Sequence, residues 1–438
     1  IYTSSNESNE SKDNKVLMIQ KVEQRLLSGE LIIPASKSDA QRAILAASLC
    51  EGRTEVFNVG NSDDVRAMLD CIKQIGATVL ENENSVSIIG VSYFPKKAHF
   101  NCGESGLAFR LIAAICCVNE GVYHLSGAGS LLQRNHSFID EFSREYGIKI
   151  ESKNGQLPYV IYGGVRGETI VIDGSQTSQF LSGLLMGLPL LNRNIELTVR
   201  NLKSIPYVKM TIATLKKFGI GIYFDQKSVF KIEAGSTYQF TRYTVEGDWS
   251  AASYWCIASA LGHKIMMKGL NRDSLQADRR LLDLFKDFVK SNERKGQLTI
   301  GERPLSSFDF DATNCPDLFP ALVAYAVFCE GASRIKGVHR LVNKESNRME
   351  TLMSEFTKIG AELIVKDDTL YVRKSNLHSN SVDSFGDHRI AMCLAIVGVH
   401  LNEGITISDA GAVAKSYPAF WVDLTNLSKK KGPKPHFQ

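Results

Sequence analysis

The stretch PASKSDAQR at residues 34–42 combines helix-capping groups with two cations. The candidate caps are Ser36, Ser38 and Asp39. The free N–H groups and the positive dipole end of a helix start favour an anion, and Lys37 and Arg42 add full charges beside it. The next run, AILAASLC, is apolar enough to be buried. Two interpretations remain open at this point: a fixed phosphate-binding platform, or an ordinary capped core helix with two solvated basic residues.

Three more helix starts in the first half of the chain carry glycine, hydroxyl or amide groups. They are NCGESGLAFR with Gly106, GSQTSQF with Thr177, Ser178 and Gln179, and KSIPY with Ser204 and Tyr207. Each taken singly is more often a structural cap than a ligand contact. Because they recur at one end of successive units, we interpret them as parts of one ligand site.

The second half supplies carboxylates and further cations. Asp317 in CPDLFPAL precedes a strongly apolar helix, where a partly desolvated carboxylate could act as a base or simply cap the helix. HRLVNKESNR brings cations and an acid together, GDHR precedes another apolar helix, and AKSYP begins the last one. The residues singled out in these motifs are Arg340, Lys344, Glu345, Arg348, Asp387, His388, Arg389 and Lys415.

A repeated unit positions these groups. The unit consists of an amphipathic helix, a glycine, a strand, a polar turn and a second strand. It recurs around Gly76, Gly147, Gly219 and Gly360. The first three glycines are 71 and 72 residues apart, and the fourth follows after 141 residues, which is nearly two periods. The spacing predicts a degraded copy near residue 290 and a truncated helix at FWVDLTNL, hence six units in two similar halves.

Two hinges are predicted, one near Pro34 and one at Glu246-Gly247-Asp248. They imply a first three-unit domain over 36–245 and a second domain made of 20–35 plus 246–438. The active site would lie in the cleft between them, where backbone crosses twice and closure on a ligand is possible. The first residues are rich in Ser, Asn, Glu and Lys and have nothing to bury, so residues 1–19 are expected to form a mobile leader.

Composition restricts the function classes. A net charge of +4 over 438 residues is too small to indicate nucleic acid, and no apolar run is long enough to cross a bilayer. The start of the sequence lacks the apolar core of a signal peptide, so we expect a cytoplasmic protein. The nine cysteines have no metal-binding spacing and are expected to be reduced core residues.

Taken together, the motifs resemble the 5-enolpyruvylshikimate-3-phosphate synthase family. The resemblance rests on PASKSDAQRA, ESGLAFR, the QR of SLLQR, TSQF, SIPY, PDLFPAL, KESNR, GDHR and AKSYP in this order. It implies an α/β fold: a two-domain inside-out α/β barrel, each domain with three βαβαββ units about a pseudo-threefold axis. It also implies phosphoenolpyruvate and shikimate 3-phosphate as substrates, no organic cofactor, no metal, and a monomer.

Roles follow from the resemblance residue by residue. The residues implied to bind shikimate 3-phosphate are Lys37, Ser38, Arg42, Thr177, Ser178, Gln179, Ser204, Tyr207, Asp317 and Lys344. Those implied to bind phosphoenolpyruvate are Lys37, Gly106, Arg134, Gln179, Arg348, Arg389 and Lys415. Asp317 would deprotonate the 5-hydroxyl, and either Glu345 or Lys37 would protonate the methylene carbon. Planar guanidiniums suit the carboxylate and phosphate of phosphoenolpyruvate on chemical grounds alone.

Some positions depart from the commoner family pattern. They are Ala35, Glu104, Leu107, Asn135 and Asn347, and none removes a proposed catalytic group. The related UDP-N-acetylglucosamine enolpyruvyl transferases are the nearest alternative. They use a Lys-Asn pair at the opening motif and a reactive loop cysteine, whereas Lys37 here is followed by Ser38 and no cysteine lies near Arg134. The other alternative is a catalytically silent anion-binding protein, which would gain nothing from carboxylates such as Asp317 in a basic cleft.

Overall fold

The computed structural model describes residues 17–292 and 296–428. Residues 1–16, most of the predicted leader, and the basic segment after residue 428 lie outside this range. Within it, no helix is long and apolar enough to span a membrane. The predicted α/β class is confirmed, since helices alternate with strands along the described chain.

The helices and strands have the following bounds. The α-helices are α1 (Lys37–Ser48), α2 (Asp63–Ile75), α3 (Gly106–Val118), α4 (Ser137–Glu145), α5 (Ser178–Gly187), α6 (Ile205–Lys217), α7 (Trp249–Ala260), α8 (Leu281–Leu284), α9 (Phe319–Ala326), α10 (Arg348–Lys358), α11 (His388–Gly398) and α12 (Phe420–Asn426). The strands are β1 (Gln20–Val22), β2 (Ser28–Ile32), β3 (Arg53–Phe57), β4 (Thr78–Glu81), β5 (Ser85–Ile89), β6 (Lys97–Asn101), β7 (Gly121–Ser126), β8 (Lys149–Lys153), β9 (Gln156–Gly163), β10 (Thr169–Asp173), β11 (Ile195–Arg200), β12 (Ile222–Phe224), β13 (Val229–Ile232), β14 (Arg242–Thr244), β15 (Lys264–Lys268), β16 (Val289–Asn292), β17 (Gln297–Ile300), β18 (Asp309–Asp311), β19 (Ala332–Lys336), β20 (Glu362–Lys366), β21 (Thr369–Arg373), β22 (Ser381–Asp383) and β23 (Ile405–Ser408).

One unit illustrates the repeat. Strands β6 and β7 are parallel and joined by the buried helix α3, and the amphipathic helix α4 then leads into the antiparallel pair β8–β9. The sheet order is β6-β7-β9-β8, and four other sheets have the same arrangement. The sixth sheet has three strands in the order β1-β23-β22, and the short helix α12 lies at the predicted truncated position.

The sheets surround buried helices in each half. Every residue of α3, which reads GLAFRLIAAICCV, is buried, and α5, α9 and α11 are buried almost or completely. The strands instead alternate between buried and exposed residues, as in β6 and β11. A helix that is apolar on all sides has to be buried. The apolar helices therefore occupy the interior and the sheets face solvent, which is the inside-out arrangement.

The glycines predicted to end the amphipathic helices do so. Gly76, Gly147, Gly219 and Gly360 have φ angles of 108°, 64°, 80° and 89°, which favour glycine. The degraded copy is also present: α8 has only four residues, a short 3₁₀ turn at Lys286–Phe288 replaces its second part, and β16 and β17 still pair.

Buried apolar side chains form two clusters. One runs from Ala35 to Val245, and the other contains Val22–Ile33 and Trp249–Leu427. Strand β2, which precedes α1, pairs with β15, whereas β14, which precedes α7, pairs with β3. We therefore propose the domain boundaries given above, and call residues 36–245 the first half and residues 20–35 plus 246–428 the second half.

The two chain segments that connect the halves, at the predicted hinges, pair with each other. Ala35 and Gly247 form an antiparallel bridge. The amide of Ser36 donates to the Glu246 carbonyl at 2.8 Å, and the amide of Asp248 donates to the Pro34 carbonyl at 2.8 Å. The predicted hinge residues thus lie side by side.

Candidate active site

A cavity of about 270 Å³ lies between the two halves. The starts of α1, α3 and α5 reach it from the first half, and the start of α11 and the 3₁₀ turn Pro316–Leu318 ahead of α9 reach it from the second. Their free N–H groups and positive dipole ends favour negative charge. Seven Lys or Arg side chains line the cavity against three carboxylates. The cavity is therefore suited to a polyanionic ligand.

The capping of α1 differs from the prediction. The side chain of Ser36 makes no capping hydrogen bond with any described residue, and the amide of Lys37 instead donates to Asp248 Oδ2 at 3.3 Å. Asp39 points to the second hinge, where it accepts from the Tyr243 hydroxyl at 2.6 Å and from the Glu246 amide at 3.0 Å. Burial raises the pKa of Asp39 to about 6. The hinge residue Asp248 therefore caps the helix, which couples the helix start to the crossing segment.

Lys37 is paired with a carboxylate that the sequence analysis did not identify. Its Nζ lies 2.8 Å from Oδ2 of Asp64, a residue in the first turn of α2. Burial lowers the pKa of Lys37, but Asp64 and then Glu345 raise it by more, so the net shift is upward. Lys37 therefore carries a proton at neutral pH. The sequence feature that could have indicated Asp64 is the acidic pair that follows Ser62 at the start of an amphipathic helix.

Asp317 is surrounded by three cations. Its Oδ1 accepts from Lys344 at 3.2 Å and from Arg348 at 3.0 Å, and its Oδ2 accepts from Arg389 at 3.0 Å. Burial alone would raise the pKa of Asp317, but Arg389, Lys344 and Arg348 hold it well below its usual value. Asp317 is therefore ionised and able to accept a proton, with hydrogen bonds fixing both of its oxygens.

Glu345 joins the two halves. It accepts from Arg348 at 2.6 Å, and its other oxygen lies 3.8 Å from NH2 of Arg134 in the first half. Burial would raise the pKa of Glu345, but Arg348 and Arg134 hold it well below its usual value. Glu345 is therefore a carboxylate in this arrangement, whereas Lys37 carries a proton.

Two buried arginines support the cavity: Arg348 lies beneath its surface, whereas Arg42 forms part of its wall. Arg348 is completely buried and donates to Asp387, Asp317 and Glu345 at 2.6–3.2 Å. Arg42 donates to the Thr211 hydroxyl at 2.8 Å and to the Ser38 carbonyl at 2.7 Å. Both guanidiniums therefore mainly order other groups.

Two arginines without an assigned role in the sequence analysis line the cavity. Arg110 donates to Gln179 at 2.6 Å, and burial and then Arg134 lower its pKa to about 9. Arg340 crosses the cleft to donate to the Ser175 carbonyl at 3.0 Å and to the Ser204 hydroxyl at 2.9 Å. The Nε of each has no hydrogen-bond partner among the described residues.

His388 lies behind the site and is fully buried. Neither ring nitrogen is hydrogen-bonded to a described residue. Burial, and then Lys37 and Arg389, hold the pKa of His388 well below its usual value, so the ring is neutral. In residues 17–292 and 296–428, no group of three or more His, Cys, Asp or Glu side chains is arranged to hold a metal ion.

Comparison with known proteins decides the family. A family model described as EPSP synthase (3-phosphoshikimate 1-carboxyvinyltransferase) matches residues 22–424. The chain belongs to the EPSP synthase family. A 3-phosphoshikimate 1-carboxyvinyltransferase from Clostridium kluyveri is 36% identical over 406 residues, covering 92% of this chain and 95% of the relative. One from Methanocorpusculum labreanum is 34% identical over 408 residues, covering 92% and 96%.

Solved structures share the EPSP synthase fold. An EPSP synthase from Acinetobacter baumannii superimposes with a TM-score of 0.75 at 22% identity, covering 94% of this chain and 98% of that one. The enolpyruvyl transferase NikO from Streptomyces tendae gives a TM-score of 0.72 at 17% identity, covering 94% and 97%. The two-domain inside-out α/β barrel predicted from the family motifs is confirmed by these matches.

Most residues assigned from the EPSP synthase resemblance come together. Those lining the cavity are Lys37, Ser38, Arg42, Gly106, Arg134, Thr177, Ser178, Gln179, Ser204, Tyr207, Asp317, Lys344, Glu345 and Arg389. Arg348 and Lys415 are not among the described lining residues. Arg348 lies beneath Asp317, and Lys415 lies beside the cavity in an ion pair with Glu104. The role of each remains a proposal.

Proposed function

We propose that this cavity carries out the reaction of the EPSP synthase family with Asp317 as its general base. The reaction transfers the enolpyruvyl group of phosphoenolpyruvate to the 5-hydroxyl of shikimate 3-phosphate and releases phosphate. The observation that supports the base assignment is the cage around Asp317, in which three cations contact its two carboxylate oxygens at 3.0–3.2 Å.

The two substrates would occupy two cationic regions. The carboxylate and phosphate of phosphoenolpyruvate suit the guanidiniums of Arg134, Arg110 and Arg389 together with Lys37. The phosphate of shikimate 3-phosphate suits Arg340, whose Nε has no hydrogen-bond partner in the described part of the chain. The hydroxyl-bearing residues Ser204 and Ser178 line the same cavity. The remaining proposed contacts to shikimate 3-phosphate are Ser38, Thr177, Gln179, Tyr207 and Lys344. Arg42, in the cavity wall, would act by ordering Ser38, and Arg348 would order Asp317 from beneath.

Substrate binding would make Asp317 a better base. The surrounding cations keep its pKa low. An incoming polyanion partly neutralises Arg389 and Lys344, which weakens their hold on the Asp317 carboxylate and raises its proton affinity. The enzyme would therefore be ready to remove a proton only when its anionic substrates are in place.

Proton movements balance through two groups. Asp317 takes the proton of the 5-hydroxyl as its oxygen bonds to C2 of phosphoenolpyruvate, while Lys37 gives a proton to C3. In the resulting tetrahedral intermediate, Lys37 takes a proton back from C3, the C–O bond to phosphate breaks, and the proton on Asp317 leaves with the phosphate. We assign the acid role to Lys37 because it is protonated, whereas Arg348 and Arg134 keep Glu345 ionised. Glu345 would position these two arginines.

Both halves of the cavity come from one chain, so we propose that a monomer is sufficient for activity. Location in the cytoplasm stays a prediction.

A phosphate-release assay tests the proposal. With phosphoenolpyruvate present, we expect turnover with shikimate 3-phosphate and none with UDP-N-acetylglucosamine. Turnover with the nucleotide sugar alone would overturn the assignment. Lys37→Met should abolish turnover and Glu345→Gln should reduce it less; the reverse order would transfer the acid role to Glu345.

A further inference from the structure

Glu104 of the first half and Lys415 of the second half form an ion pair beside the cavity. Nζ of Lys415 lies 2.7 Å from Oε2 of Glu104, and the two side chains are 11% and 24% exposed. The same Nζ donates to the carbonyl of Gly386 at 2.8 Å. This contact between largely buried charges therefore exists only while the halves are together.

The Glu104 carboxylate also holds the segment that carries Arg134. It accepts from the amide of Ser130 at 3.3 Å, in the short 3₁₀ turn Gly129–Gln133 immediately before Arg134. The Ser130 hydroxyl in turn accepts from NH2 of Arg134 at 3.2 Å. The packing is close, because a Cβ atom on Gly129 would overlap the Glu104 carboxylate.

The contacts form a chain that crosses the cleft twice. Lys415 contacts Glu104, Glu104 contacts Ser130, Ser130 contacts Arg134, and Arg134 faces Glu345 at 3.8 Å. Its two ends are in the second half, and its middle members are in the first. Closure of the two halves and the orientation of Arg134 into the cavity therefore depend on the same series of contacts.

We propose that Glu104 is a positioning residue that couples domain closure to the placement of Arg134, and that Lys415 acts through Glu104. Without the glutamate charge, closure would bury the Lys415 ammonium without the carboxylate that pairs with it in the structure, which disfavours the closed state. A ligand that needs the closed state then binds more weakly in proportion to the closed population. This inference rests on the proposed function, because it takes phosphoenolpyruvate as that ligand.

The alternative is direct contact between Lys415 and phosphoenolpyruvate, as the family resemblance implies. The two roles differ in whether the effects of the two substitutions on binding add. If both residues act through one shared interaction, the second substitution removes nothing further, whereas the effects of breaking two independent contacts add. A double-variant cycle therefore separates them.

The experiment compares Glu104→Gln, Lys415→Met and the double variant. Gln keeps the shape and can still accept from the Ser130 amide, so only the charge is lost. Glu120→Gln is the matched control, because Glu120 forms an ion pair with Lys96 at 2.9 Å within the first half, with both side chains about 80% exposed. The Michaelis constant for phosphoenolpyruvate and kcat are measured at saturating shikimate 3-phosphate.

Each single variant should raise the Michaelis constant about tenfold, the double variant should add less than about twofold, and kcat should change little. Glu120→Gln should match the unmodified enzyme. An unchanged Michaelis constant in Glu104→Gln, or multiplied losses in the double variant, overturns the proposal.

Scattering gives a readout that does not depend on activity. The radius of gyration without substrates should be larger for Glu104→Gln than for the unmodified protein and for Glu120→Gln. Equal radii would count against the coupling. If the unmodified protein shows no turnover with shikimate 3-phosphate, the proposed function fails, and the scattering comparison still decides whether the ion pair holds the halves together.

Discussion

Gly106 is packed directly against Arg134: a Cβ atom on Gly106 would lie 2.6 Å from NH1 of that arginine. It would also lie 3.2 Å from NH1 of Arg110. The glycine at the start of α3 thus lets two guanidiniums approach the helix N-terminus. Any side chain at this position has to displace at least one of them.

Gly106→Ala should therefore weaken phosphoenolpyruvate binding, because the methyl group displaces Arg134 from its position beside Glu345. Overpacking of this kind costs about 1 to 3 kcal/mol, so the Michaelis constant should rise about tenfold. Steady-state kinetics measure it. Gly221→Ala is the control, since a Cβ there would have no other described residue within 4 Å beyond its two chain neighbours. Equal Michaelis constants for Gly106→Ala and the unmodified enzyme would contradict the packing argument.

Asp317→Asn should retain shikimate 3-phosphate binding while kcat falls at least about a hundredfold, because the amide keeps the shape but cannot accept the proton. Calorimetry measures binding, and phosphate release measures kcat. Asp309→Asn is the matched control, since Asp309 pairs with Arg334 on the exposed surface of the second half. Near-normal turnover in Asp317→Asn would assign the base elsewhere.

Asp64→Asn should move the alkaline limb of the pH–rate profile to lower pH. Burial lowers the pKa of Lys37 and Asp64 is the largest influence that raises it, so removing the Asp64 charge lowers that pKa. If Lys37 must be protonated to act as the acid, activity is then lost about one pH unit earlier. Asp70→Asn, at an exposed pair with Lys73, should leave the limb in place. An unmoved limb in Asp64→Asn would show that the titration of Lys37 does not limit the rate.

Asp39→Asn should stabilise the protein above pH 6 and have little effect near pH 4. Burial raises the pKa of Asp39 from 3.8 to about 6 in the folded state. The folded state therefore favours the protonated carboxyl: its stabilising contribution is fully present below about pH 4 and is lost as the pH rises through 6. Asn stays neutral and should recover about 1 to 3 kcal/mol of unfolding free energy. Chemical denaturation at pH 4.5 and pH 8 measures the difference, and an equal effect at both values would argue against it.

Features encoded in short segments were predictable from the sequence. Gly76, Gly147, Gly219 and Gly360 ended their helices as expected, because only glycine adopts positive φ without steric cost. Apolar runs such as GLAFRLIAAICCV predicted buried helices, and the groups at their starts predicted an anion site. An ordered set of motifs then identified the family. The helix starts that meet at the cavity come from segments along the whole chain, and each segment carries its own short motif.

The partners of the charged side chains were decided by the tertiary structure. Lys37 and Asp64 are separated by 27 positions, and Glu104 and Lys415 come from different halves, so their spacing gives no local signal of contact. Asp317 was expected to be a desolvated carboxylate, yet the cations that the fold gathers around it lower its pKa instead. Arg348 and Arg389 come from similar motifs, but the first lies beneath the cavity and the second lines it. Electrostatic interactions depend on distance and burial in three dimensions, and the sequence specifies these only through the completed fold.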